Sequence, residues 1–140
     1  MSDDLDPVHT IDEWYDGPRG GATEYRGTPH YYRSLYLDSE SWNPEEDRFE
    51  LTPLPVSTLD AILEASRLHE RWASAQRAGT LPPEADPDEL RVLPPDRERY
   101  VAVERERNAY LAAARGNGFI VRGQFLRGTR SVRWSAPLVD

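Results

Sequence analysis

Residues 16–38 read D-G-P-R-G-G-A-T-E-Y-R-G-T-P-H-Y-Y-R-S-L-Y-L-D, and how this stretch folds decides the architecture. Glycine takes dihedrals that other residues avoid, so residues 16–21 read as a turn-rich loop. Residues 22–26 read as a short strand, and Gly27-Thr28-Pro29 turns it back. Residues 30–37 read as the strongest strand of the chain. They hold two alternating sets, His30/Tyr32/Ser34/Tyr36 and Tyr31/Arg33/Leu35/Leu37. Both sets carry apolar bulk, which places this strand at the centre of a sheet or small barrel with both faces partly covered.

Upstream, residues 1–8 are acidic and lack a periodic apolar signal, so a loose tail is expected there. Residues 8–15 (Val8, Ile11, Trp14, Tyr15) fit a short strand or one helical turn equally well. Downstream, residues 38–47 read as a polar loop around Trp42. Residues 48–54 alternate, with Phe49 and Leu51 on one face, and end at Pro53 and Pro55.

The period then changes. Ser57 reads as a helix cap with Asp60 as its partner, and Gly79 as the terminating residue. Leu59, Ile62, Leu63, Ala61, Ala65, Leu68 and Trp72 give this helix a wide apolar face. Residues 80–95 are a proline-rich connector with a short helical turn begun by Asp86-Pro87. A second helix over 95–115 carries the stripe Tyr100, Val103, Tyr110, Leu111 and Ala114, with opposite charges along its outer face. Residues 119–127 and 130–135 alternate again around a two-residue Gly128-Thr129 turn. The order β-β-β-α-α-β-β predicts an α+β fold. The expected form is a roughly five-stranded antiparallel sheet or small barrel, with two helices covering one side and residues 9–140 making a single domain.

Composition narrows the function classes. The chain has no cysteine, which removes disulfides, thiolate metal sites and thiol catalysis. No apolar run approaches a membrane span and the N-terminus is acidic, so a cytoplasmic protein is expected. All 17 basic residues are arginine, which points to a GC-rich bacterial source. Net charge is −8, with acids concentrated in residues 1–16 and 38–50 and an arginine excess in residues 108–140. Such a chain is not expected to bind nucleic acid broadly, because phosphate neutralisation needs clustered positive charge.

Three site readings follow. The first is a docking patch. Trp42 among Glu45, Glu46 and Asp47, with Trp14 and Tyr15 next, offers desolvatable aromatics inside a rim that steers a basic protein partner. This gives a non-enzymatic, immunity-like module or accessory subunit with no cofactor. The second is a small enzyme or anion-binding domain with its pocket at the loops of residues 17–32. There His30 would be the base, Arg19 the anion clamp and Tyr32 a donor. The competing account of His30 is a ring that fixes a turn by hydrogen bonding. The third is a structural subunit or homodimer built on an exposed strand edge. Metal binding is not expected: the histidines lack ligand spacing and the 38–47 loop lacks the form of an EF-hand. Arg122, Arg127, Arg130 and Arg133 with Phe125 and Trp134 fit a basic, aromatic nucleic-acid hairpin, but internal charge pairing is the favoured use.

The pattern D-G-P-R-x-G…Y-x-G-x-P-H-x-Y over residues 16–32 resembles a recurring opening of small uncharacterised bacterial proteins. The resemblance implies that the stretch matters and carries no activity, cofactor or catalytic residue with it.

Overall fold

The computed structural model describes residues 5–14, 17–35, 48–82, 91–126 and 128–138. The chain divides into two compact units, residues 1–56 with 114–140 and residues 57–113. The first unit holds β1 (Asp6–Pro7), β2 (Glu13–Trp14), β3 (Pro18–Tyr25), β4 (Thr28–Ser34), β5 (Arg48–Pro53), β6 (Phe119–Phe125) and β7 (Ser131–Trp134). They form one antiparallel sheet in the order β1-β7-β6-β5-β4-β3-β2. The α+β class and the joining of the C-terminal hairpin to the N-terminal strands are as the sequence predicts. The strand count is seven rather than about five, because residues 6–14 contribute two short strands, one at each end of the sheet.

That segment corrects the reading of the N-terminus. Residues 6–8 do not belong to a loose tail. Asp6 and Pro7 pair with Val132 and Ser131 of β7, while Val8 bridges Thr23 of β3 and its N–H donates to the Arg130 carbonyl. One continuous segment therefore touches both terminal strands of the main ladder. It can do so because the sheet curls. Trp134 on β7 donates through Nε1 to Thr23 Oγ1 on β3 at 3.4 Å, and the Tyr25 hydroxyl donates to the Ser135 carbonyl at 3.2 Å.

The glycine stretch is the second correction. Residues 18–21 are strand, paired Gly20↔Arg33 and Gly21↔Tyr32, and not a loop. Glycine is needed there because the backbone of Thr10 passes directly over Gly21. A Cβ at that position would run into the Thr10 carbonyl and lie 2.9 Å from the Tyr32 hydroxyl. The turn itself is Arg26-Gly27, with φ of 52° and 82°. Two successive positive φ values make the tight hairpin connection whose twist suits flanking strands. β4 consequently starts at Thr28, two residues before the predicted strand.

Period-two alternation sets the interior. His30, Tyr32 and Ser34 of β4, Phe49 and Leu51 of β5, Val121 of β6 and Val132 of β7 are buried. Phe119, Phe125 and Trp134 pack against this cluster. Tyr32, Phe49, Phe125 and Trp134 form mutual ring contacts with centroids 5.3–6.1 Å apart. Such pairs contribute about 0.5–1.5 kcal/mol each beyond area burial. On the other face Tyr31 and Leu35 are half-buried and Arg33 is exposed, so that face is partly covered. β6 ends at Phe125 and β7 starts at Ser131, so the connection is longer than the two-residue turn expected, and Leu126 N–H donates to Ser131 O.

In the second unit α1 (Val56–Ala78) begins one residue before the predicted cap. It ends as expected at Gly79 (φ 72°), where Thr80 N–H donates to Ala75 O and Gly79 N–H to Gln76 O. A single 3-10 turn over Pro94–Asp96 leads into α2 (Arg97–Ala113). Ala61 and Ala65 of α1 meet Val103 and Tyr100 of α2. Arg99 forks onto the Glu64 carboxylate at 2.7 and 2.6 Å. That hydrogen-bonded pairing holds Glu64 below the usual carboxylate range and Arg99 above the usual guanidinium range. Among the described residues, no helix is long and apolar enough to cross a membrane.

Candidate functional site

Residues 9–14 read H-T-I-D-E-W, and their backbone runs along β3. His9 and Thr10 N–H groups both donate to Ala22 O, at 2.8 and 3.1 Å. Ala22 N–H returns a 2.9 Å bond to Thr10 Oγ1, and Asp12 N–H donates to Gly20 O at 2.7 Å. These bonds bury Thr10 and leave Ile11, Asp12, Glu13 and Trp14 exposed. Trp14 keeps 68% of its surface in solvent and Ile11 37%. Two exposed carboxylates, Asp12 and Glu13, therefore directly precede the exposed ring of Trp14 at the last strand of the ladder, β2. The Tyr31 hydroxyl donates to Asp12 Oδ2 at 3.3 Å and so orients one of them. A register shift between Glu13 and Trp14 ends the regular pairing there. Such a patch can exclude water against a partner while its charge attracts cations.

Trp14 is the one predicted partner contact within the described residues. Tyr15, Trp42, Glu45, Glu46 and Asp47 lie outside them.

The residues of the enzyme reading share a face but are not brought together. His30, Tyr32 and Ser34 line one interior column of β4. Thr23 stands opposite His30, and Arg19 donates from Nη1 to Ser34 Oγ at 3.3 Å. The four-residue step from His30 to Ser34 spans roughly 13 Å of strand. Tyr32 stands between the two stations. His30, 5% exposed, donates from Nδ1 to the Thr28 carbonyl at 2.8 Å. Its ring packs edge-on against Tyr25 and Phe119, with centroids 5.6 Å away in both cases. This is the turn-fixing geometry set out above as the competing account. Tyr32 is fully buried and donates to Thr10 O at 2.9 Å. Burial first, then the nearby Asp12 and Tyr31, push its phenol well above the usual range, so it holds its proton as an anchor. The region from Gly17 to Tyr32 is a strand hairpin, not a set of loops.

The other histidines make local bonds. His9 Nε2 meets Glu24 Oε2 at 2.9 Å, and His69 Nδ1 donates to Arg91 O at 3.1 Å. Among the described residues, no group of three or more His, Asp or Glu side chains is placed to hold a metal ion.

On the C-terminal hairpin, Phe125 and Trp134 turn into the core while Arg122 and Arg133 are exposed. The aromatic and basic residues that alternate in sequence thus occupy opposite faces. Register adds what spacing does not reveal: Arg48 of β5 stands directly opposite Arg122 of β6. The exposure of Ile11 and Trp14 was also not legible in the sequence. Comparison with known proteins finds no matching protein family, no matching curated protein and no matching solved structure.

Proposed function

We propose that the protein is a non-enzymatic acidic binding module that docks a basic protein partner in the cytoplasm, as an immunity protein or accessory subunit does. One observation carries the reading: Trp14, 68% exposed on the terminal strand β2, directly follows the exposed acids Asp12 and Glu13 in the chain. Burying a tryptophan at an interface supplies a large apolar area, and surrounding charge raises the encounter rate with a partner of opposite sign. The acidic sequence around Trp42, with Glu45, Glu46 and Asp47, and the adjacent Tyr15 extend the same chemistry.

The experiment is affinity capture from native lysate at two salt concentrations, using wild type, Trp14→Ala and Asp12→Asn/Glu13→Gln. A basic protein should be retained at low salt and released at about 0.5 M salt, where surface charges are screened. Trp14→Ala should weaken its binding at least about tenfold. Recovery of the protein alone, or capture indifferent to these substitutions, would overturn the reading. A mass in solution corresponding to a dimer broken by Trp14→Ala would instead assign the patch to self-association.

A further inference from the structure

The outer face of β4 to β7 carries an unbalanced charge arrangement. Arg33 is answered across the ladder by Glu50, with Nε–Oε1 at 3.4 Å. Arg133 donates from Nη1 to Gln124 Oε1 at 3.2 Å across the next hairpin. Between them stand Arg48 and Arg122, directly opposite each other on β5 and β6 and both exposed. Among the described residues, neither guanidinium has an ion-pair or hydrogen-bond partner. Directly opposed residues lie about 5 Å apart at Cα, and like charges there destabilise a sheet. Among the described residues, nothing offsets this pair. An anionic group seated between the two side chains would remove the repulsion.

We propose that this arginine face is a second docking surface, for an acidic polypeptide segment of a partner protein. One carboxylate bridges Arg48 and Arg122, and a second reaches Arg133, which is diagonal to Arg122. The guanidinium fork matches a carboxylate in two parallel hydrogen bonds. The same chemistry is realised within this chain where Arg99 forks onto Glu64. Two features favour a short acidic segment over a nucleic acid. Phe125 and Trp134 face the core, which removes the hairpin's aromatic platform for stacking bases. The three arginines span three strands, about 10 Å, beyond which a long polyanion meets a chain of net charge −8. This surface is opposite in sign to the Trp14 edge and goes beyond the function proposed for it.

The test uses the full chain and fluorescence anisotropy at low salt with three labelled probes. They are a peptide of consecutive glutamates, its glutamine counterpart, and a thymidine oligonucleotide of similar length. The glutamate peptide should bind in preference to the other two. Its affinity should fall about tenfold or more in Arg48→Gln/Arg122→Gln and be unchanged in Trp14→Ala, which separates this face from the patch above. Thermal unfolding of Arg48→Gln should occur at the wild-type temperature or higher, because a repulsion has been removed. No glutamate binding, equal binding by the double variant, or tighter binding of the oligonucleotide would each overturn the proposal. A lowered melting temperature for Arg48→Gln would show the pair to be structural and overturn it as well.

Discussion

The Tyr32 hydroxyl donates a 2.9 Å hydrogen bond to the carbonyl of Thr10, tying the middle of β4 to the N-terminal segment. Thr10 in turn holds Ala22 through both its backbone N–H and its hydroxyl. Tyr32 also packs against Phe49, Phe125 and Trp134. The phenol thus joins the aromatic core to the segment that presents Trp14. A surface tryptophan needs such a rigid base if it is to serve as a pre-organised anchor.

Removing this hydroxyl isolates its contribution. Tyr32→Phe should keep the fold and lose about 1 kcal/mol, the ordinary net worth of a hydrogen bond whose partner is left behind. Its pH dependence should change too. The folded phenol titrates far above the unfolded one, so its share of stability is complete below about pH 10 and is lost as the pH rises past that value. Urea unfolding at neutral and alkaline pH is the measurement. Wild type should weaken on the alkaline side more steeply than Tyr32→Phe, and parallel curves would contradict the account.

Gly21→Ala tests the close passage of Thr10 over β3. The added methyl meets the Thr10 carbonyl and the Tyr32 hydroxyl, both fixed by hydrogen bonds, so neither can yield cheaply. The expected cost is about 2–3 kcal/mol, in the range of overpacked cores. Hydrogen exchange gives a more specific readout. The His9 and Thr10 amides, which bond to Ala22, should lose protection before those of β5 and β6.

Gly123 is covered by the indole of Trp134. A Cβ there would lie 2.8 Å from Trp134 Cε3 and 3.0 Å from Phe49 Cδ1. Gly123→Ala should displace the indole, break its 3.4 Å bond to Thr23 Oγ1 and cost about 1–3 kcal/mol. Near-UV circular dichroism of the aromatic core should change while the far-UV signal stays. An unaltered near-UV spectrum would show that the core absorbs the methyl.

Much of the fold was legible because periodicity is a local property. Phe49 and Leu51 alternate inward, and α1 stops at Gly79, as their spacing predicts. Reading failed where glycine serves a distant neighbour. In sequence, Gly20-Gly21 looks like a loop. In space both are strand, and Gly21 leaves the room over which the Thr10 backbone passes. The same holds for residues 6–8, whose β pairing depends on Ser131 and Val132 at the other end of the chain. Of the candidate site, Trp14 was legible as an aromatic beside acids, but its exposure was not.

By itself the sequence determined the α+β class, the order of the longer elements from β3 onward, the inward set of most strands and the acidic, cysteine-free character of the chain. These follow from side-chain period, caps and composition, all of which act over a few residues. Tertiary structure alone decided that one N-terminal segment joins both ends of the ladder, that His30 and Arg19 stand apart, and that Arg48 faces Arg122. Each depends on strand register and sheet curl, which are set by pairing between residues remote in sequence.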